Sequence, residues 1–274
     1  MIPRRNIQTI SLRVSPIQEK TVEQDYIISW ILAGLTYTKI NDWLSFKGGT
    51  ALKKIYIPDY RFSEDIDFTL LNNEINEKDI GDEIIKSFEV VRSDANIPLR
   101  LIKDDQAYAN TLNYHINYSG PLEAAIDRGS IKLDITLNEK LIYQSKKMPL
   151  IREYPEYYDL PYDREVNVYD INEIYLEKLC CLLDPKRKEP RDVYDLWYLR
   201  DSKLVDRHLL IEDFIAKATN KGLLWGDMKK SMQNKEKAYS SLWNTRLGNQ
   251  MTDVPEFNKI YRKLHQYLRD SKYL

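Results

Sequence analysis

The chain has 274 residues, enough for one large or two modest domains, and its 43% apolar and 30% charged residues are the composition of a soluble globular protein. No apolar run approaches the ~18 residues of a membrane span, and Met1-Ile2-Pro3-Arg4-Arg5 lacks a signal core, so a cytoplasmic protein with no membrane partner is expected. The net charge of −1 argues against a dedicated nucleic-acid coat, but Lys and Arg outnumber Asp and Glu by 20 to 14 from Tyr175 onward and trail them by 21 to 28 before it.

Ser15-Pro16-Ile17-Gln18 reads as a helix start, with Ser15 as cap, Pro16 at the first helical position and Gln18 completing a capping box. Ile17, Val22, Tyr26, Ile27, Trp30, Ile31 and Leu35 then recur at helical spacing. A short strand ends at Lys47, a helix of about two turns covers 50–56, and Pro58-Asp59 break it. Residues 65–71 read as a strand. Residues 76–91 read as an amphipathic helix burying Ile80, Ile84, Ile85, Phe88 and Val91. Two strands follow, with Leu112, Tyr114, Ile116 and Tyr118 on one face of the first and Ile131, Leu133, Ile135 and Leu137 on one face of the second.

Asp170-Ile171-Asn172-Glu173 reads as a second capping box, opening a helix over 174–183. The rest reads as helical, broken at Asp184-Pro185, at Asn220-Lys221-Gly222 and around Gly248. Its last helix, from about Pro255, carries Phe257, Ile260, Tyr261, Leu264 and Leu268 on one side. The expected organisation is an α/β (α+β) domain over 1–174 and a helical domain over 175–274 that closes a ligand cleft. Cys180 and Cys181, adjacent on a helix, are expected to stay reduced. His115, His208 and His265 are scattered without zinc-ligand spacing and read as structural.

The chemistry concentrates in Phe46-Lys47-Gly48-Gly49-Thr50-Ala51-Leu52 and Arg61-Phe62-Ser63-Glu64-Asp65-Ile66-Asp67-Phe68. Two glycines without Cβ atoms let the backbone approach a phosphate, and the N–H groups of the helix that follows favour an anion. Asp65 and Asp67, one residue apart on a strand, share a face. Two such carboxylates suit Mg²⁺, which completes its shell with phosphate oxygens; Mn²⁺ is the alternative ion. Activating a hydroxyl for attack on an α-phosphate normally uses a third carboxylate. Asp134, in the apolar strand Ile131-Lys132-Leu133-Asp134-Ile135, has that setting, with a plain ion pair to Lys132 as the competing reading. Lys178, among Leu176, Leu179 and Leu182, sits near the buried side of its helix and needs an anion, which a triphosphate would supply. Asp192 and Asp195 share a helical face, or Asp195 makes a surface pair with Arg191.

The order Gly-Gly-Thr-Ala-Leu, Arg-Phe-Ser-x-Asp-x-Asp-Phe, apolar-Asp-Ile, Glu-Lys-Leu and Arg-Asp-x-Tyr-Asp-Leu resembles the AbiEii/AbiGii toxin family, from about residue 20 to about residue 200. That family belongs to the DNA polymerase β-like nucleotidyltransferase superfamily. The resemblance implies a polymerase β-like domain with a mixed sheet, and an Mg²⁺-dependent enzyme that moves a nucleoside monophosphate from an NTP to an acceptor hydroxyl. It implies tRNA as acceptor, a role as the toxin of a toxin–antitoxin (phage abortive infection) system, and a cognate antitoxin. By position it implies phosphate binding at Gly48, Gly49 and Thr50 and metal ligation at Asp65 and Asp67, with Asp134 as third acid. It further implies a triphosphate contact at Lys178, an essential carboxylate at Asp192, and Asp195 as its neighbour in nucleotide binding. Many superfamily members have Gly-Ser where this chain has Gly-Gly-Thr, so Thr50 would supply the hydroxyl. The long gap from Gly49 to Asp65 suggests an extended loop that brings Arg61 and Ser63 to the nucleotide. The alternatives are the same chemistry on a protein or small-molecule acceptor, and a nucleotide-binding regulator without turnover.

Overall fold

The computed structural model describes residues 1–104, 110–122, 125–126, 128–205 and 211–274. The chain divides into two compact units, Met1–Glu139 with Ser145–Tyr169, and Lys140–Gln144 with Asp170–Leu274. His208 lies outside the described residues.

In chain order the first unit holds α1 (Arg4–Arg13), α2 (Glu19–Leu35), α3 (Ile40–Trp43), β1 (Leu44–Lys47) and α4 (Gly48–Ala51), which runs into a π-helical turn (Leu52–Tyr56). Then come β2 (Ile66–Leu70), α5 (Glu77–Ala95), β3 (Leu99–Lys103), β4 (Thr111–Tyr118), β5 (Gly129–Thr136), β6 (Lys146–Pro149) and β7 (Glu165–Val168). Among the described residues the strands form one seven-stranded sheet in the order β3-β4-β5-β2-β1-β7-β6. It is mixed, as expected: β1–β7 and β2–β5 pair parallel, the other neighbours antiparallel.

Register decides what each face of this sheet is. Phe46 pairs with Phe68 and Phe68 with Ile135, while Ile66 pairs with Leu133 and Leu133 with Tyr114. One face is therefore apolar, and these residues are 4% exposed or less. The period of two puts Lys47, Asp67, Asp134 and Asn113 in one row on the other face, with Ser45, Thr69, Thr136 and Thr111 in the next. Burying one face and leaving the other polar is the ordinary solution for a sheet with antiparallel pairs. Here it sets the carboxylates where a ligand can reach them. α2, buried almost all round, packs against β5, β7, α1 and α5.

Three local expectations are corrected. α2 starts at Glu19 with Gln18 as its cap residue, and Ser15 lies in the turn after α1. α1 itself was not anticipated: Ile7 and Ile10 are its buried residues, too few to register as a periodic stripe. α5 runs on to Ala95, where Asn96 takes the left-handed conformation (φ 55°) that ends a helix, and Ile85 is 48% exposed because it falls outside the buried stripe.

The second unit holds α6 (Ile171–Leu183), α7 (Pro190–Asp201), α8 (Ile211–Asn220), a 3₁₀ turn (Trp225–Asp227), α9 (Met228–Gly248) and α10 (Phe257–Asp270). α6 packs on α7, α8 and α9, and α10 on α7. The Asp170 side chain caps α6 by accepting from the Asn172 N–H. Glu173 does not close the expected box. Fully buried, it accepts from the N–H groups of Ile142 and Tyr143 and pairs with Lys217 at 2.6 Å, which ties residues 140–144 to this unit. In α10 the buried residues are Phe257, Ile260, Tyr261, Leu264 and Leu268, as the spacing predicts.

Candidate active site

β1 ends at Lys47, and Gly48 turns the chain with φ +79°, a region that favours glycine. A Cβ at Gly48 would lie 2.6 Å from an Asp67 carboxylate oxygen, and one at Gly49 would lie 2.7 Å from Arg61 Nη2 and 3.4 Å from Ser63 Oγ. The glycine pair is thus pressed against the carboxylate and against the loop before β2. Thr50, 1% exposed, donates its hydroxyl to the Asp65 carbonyl and lies 2.8 Å from Ser63 Oγ. Its hydroxyl anchors the loop that carries Arg61, Ser63 and Asp65. The structure therefore brings Gly48, Gly49, Thr50, Arg61, Ser63, Asp65 and Asp67 together in one unit. The helix here begins at Gly48 instead of Thr50, and its second half is the wide π-helical turn, a form often found at functional sites.

Two lysines of that turn point into the protein. Lys53 pairs with Glu153 at 2.5 Å and donates to the Tyr60 carbonyl at 3.0 Å; Lys54 pairs with Asp25 at 2.7 Å. All four side chains are 2% exposed or less. Burial pushes Lys54 down and Glu153 up, each opposed by the opposite charges beside it. Through Tyr60 the cluster fixes the start of the loop that bears Arg61. Sequence reading missed it, because Asp25 and Glu153 meet the turn only in the folded chain.

Asp67 and Asp134 are register partners on the parallel strands β2 and β5, and Asp65 precedes Asp67 by two residues. Asp134 accepts from Asn113 Nδ2 at 2.5 Å and from Lys132 Nζ at 2.6 Å. The ion pair with Lys132 is therefore real, and it lies inside the carboxylate group. Burial works against the charge on Lys132, but the hydrogen bond and charge of Asp134, with the charges of Asp65 and Asp67, outweigh it and raise its pKa. The ammonium stands where positive charge is wanted. Among the described residues no group of three or more His, Cys, Asp and Glu side chains is set to hold a metal by itself. The half-buried carboxylates nonetheless fit Mg²⁺, a hard ion that takes one or two protein carboxylates and fills its shell from phosphate and water. Asn113 also escaped sequence reading. Its place on the polar face of β4 was legible, but its pairing with Asp134 needs the register.

In the second unit Lys178 lies 3.0 Å from Asp192 and 2.6 Å from Asp195. Arg187 adds a bond to Asp192 at 2.6 Å. Asp192 and Asp195 are 3% and 0% exposed and Lys178 9%. The anion that a buried lysine requires comes from its own chain. Burial would raise the Asp192 pKa, but Lys178 and Arg187 outweigh it and hold the carboxyl below the ordinary aspartate range. Arg191 pairs with Glu189 at 3.0 Å, so the surface pair with Asp195 is not formed. Cys180 and Cys181 are free, and burial pushes both thiols up to about 12, far from a reactive thiolate. No described helix is long and apolar enough to cross a membrane.

A family model described as nucleotidyl transferase AbiEii toxin, type IV toxin–antitoxin system, matches residues 30–266. No curated protein matches. Among solved structures, the nucleotidyltransferase toxin MenT4 of Mycobacterium tuberculosis is 17% identical with a TM-score of 0.67, the match covering 98% of this chain and 90% of that one. A putative nucleotidyltransferase from Helicobacter pylori is 17% identical with a TM-score of 0.59, covering 93% and 98%. JHP933 from Helicobacter pylori is 17% identical with a TM-score of 0.56, covering 93% and 95%. At these identities the structures establish the shared fold.

Proposed function

This chain belongs to the AbiEii nucleotidyltransferase toxin family of type IV toxin–antitoxin systems, and on that premise we propose that it transfers a nucleoside monophosphate from an NTP to a hydroxyl of tRNA, with Mg²⁺, in the cytoplasm. The observation that carries the reading is Gly48 packed against Asp67, with Asp67 in register with Asp134 on the polar face of the sheet. The glycine turn there adjoins carboxylates able to hold the cation that phosphate needs.

In this reading Gly48 and Gly49 admit the β,γ-phosphates, and Arg61 and Ser63, on the loop that Thr50 anchors, contact them. Asp65 and Asp67 would hold the divalent ions, with Asp134 as the third carboxylate. Bound Mg²⁺ supplies Lewis acidity, lowering the pKa of the acceptor hydroxyl and neutralising the departing pyrophosphate. Lys132 keeps the carboxylate group partly neutralised before substrate arrives. Also proposed is a phosphate contact by Lys178 of the second unit, whose ammonium Asp192 and Asp195 hold. Positioning and charge neutralisation provide most of the acceleration in such a transfer, so no covalent nucleophile is required. The hydroxyl oxygen forms the new bond to the α-phosphorus as the bond to pyrophosphate breaks, and the hydroxyl proton leaves to a base or water. A cognate antitoxin and a role in phage abortive infection belong to the same proposal.

The test is mass spectrometry of RNA from cells expressing the protein. Added nucleotides on tRNA support the reading. Unchanged RNA accompanied by nucleotidylated protein bands would shift the acceptor to protein.

A further inference from the structure

The second unit contains a cavity of about 450 Å³ that the transfer reaction does not use. Lys188, Lys230, Lys235, Asp227, Leu223 and Leu224 are among its lining residues. Its volume falls within the ~300–1,000 Å³ of small-ligand sites. Three of the residues named are cationic and one is a carboxylate, in a chain whose net charge is close to zero.

Lys235 is the informative residue. It is 2% exposed, and its ammonium donates to the carbonyls of Leu182 at 2.6 Å and Cys181 at 3.3 Å, at the end of α6. Capping the last carbonyls of a helix is an ordinary task for a lysine, and it explains two of the three N–H donors. Among the described residues no carboxylate lies within ion-pair distance of Lys235; Asp184 and Asp192 act on it only at longer range. Burial outweighs them and lowers its pKa, as expected of an ammonium short of a counter-charge. Lys188 and Lys230, both exposed, add like charge to the same cavity. Such a group gains from an anion. Leu224 is 75% exposed on the cavity wall, beside Leu223. Apolar surface left open beside concentrated cations suits a base or sugar face next to a phosphate.

We propose that this cavity binds a nucleoside phosphate, with the phosphate held by Lys188, Lys230 and Lys235 and the nucleoside against Leu223 and Leu224. The same chemistry is offered by a free nucleotide and by one unit of a single-stranded RNA. The site goes beyond the transfer reaction and does not depend on which acceptor that reaction uses.

The experiment uses the full chain and four probes: AMP, inorganic phosphate, and a short single-stranded RNA with and without a 5′-phosphate. Calorimetry reads the small molecules and fluorescence anisotropy the RNA. The charge reversals Lys188→Glu and Lys230→Glu together should weaken AMP or RNA binding at least tenfold, and Leu224→Ala a few-fold. A charge-matched control, Lys259→Glu with Lys272→Glu, both exposed and outside the cavity lining, should change it less than twofold. AMP sensitivity assigns a free nucleotide; sensitivity confined to RNA assigns a strand. Equal loss in the control, no effect of the cavity reversals, or phosphate binding as tight as AMP would each overturn the proposal. Labelling of RNA from NTP is measured separately, so failure of this site leaves the transfer reading standing and failure of transfer leaves this one.

Discussion

Replacing Lys178 by methionine removes the ammonium held between Asp192 and Asp195 and leaves two buried carboxylates, 3% and 0% exposed, facing each other, with Arg187 still on Asp192. Breaking one partner out of a buried ion group costs ~3–5 kcal/mol, because the remaining charge is stranded. At ~2–4 °C per kcal/mol for a protein of this size class, the expected fall in Tm is roughly 6–20 °C. The double change Lys178→Met with Asp195→Asn should recover a large part of that loss, since it removes one of the stranded charges. The pH dependence has a definite sign. The folded pKa of Asp192 is depressed, so its stabilisation is fully present above the unfolded value of about 3.9 and is lost as pH falls through the lower folded value. Lys178→Met should therefore flatten the acid limb below about pH 4 and be most harmful near neutral pH. Urea and thermal unfolding followed by circular dichroism, at pH 7 and pH 3, measure both effects. A variant within 2 °C of wild type at pH 7 would refute the reasoning, for then the ion group does not hold the second unit together.

Four further perturbations probe the first unit. Gly48→Ala places a Cβ against the Asp67 carboxylate at a φ of +79°, so it should cost ~1–2 kcal/mol of stability and lower transfer activity far more than its Tm. Gly49→Ala lacks that φ and should act by displacing Arg61, raising the KM for NTP more than it lowers kcat. Lys132→Met removes a cation that competes for the carboxylates; at a side chain 40% exposed the pair is worth up to ~1 kcal/mol, so the Mg²⁺ concentration for half-maximal activity should fall a few-fold. Lys53→Met alone should cost ~3–5 kcal/mol, and Lys53→Met with Glu153→Leu should recover most of it in urea unfolding, because a buried pair replaced by apolar side chains is often neutral.

The sequence carried more of the site than of its supports. Gly48, Gly49, Asp65 and Asp67 lie within 20 residues, and their spacing is local information that glycine geometry and strand period translate directly. The alternation of β4 and β5 likewise exposed which side chains share a face. Register was not legible: that Asp67 meets Asp134, and Asp134 meets Asn113, depends on how three strands lying between Ile66 and Thr136 align. The counter-ions were hidden for the same reason. Lys178 read as a lysine in search of an anion, and its helix neighbours Asp192 and Asp195 supply it. Helix starts misled where a local signal had a rival use. Ser15-Pro16 belongs to a turn, and Glu173, a plausible capping-box residue, is drawn into a buried pair with Lys217.

The central claim is that Asp65 and Asp67, beside the glycine turn, hold the ions for nucleotidyl transfer. Its most direct test is incubation of the full chain with α-labelled NTPs, Mg²⁺ and total tRNA, comparing wild type with Asp65→Ala/Asp67→Ala. Labelled RNA with wild type, abolished by chelation and by the double change while the fold is retained, is the predicted result. Labelling that survives in Asp65→Ala/Asp67→Ala would contradict the account.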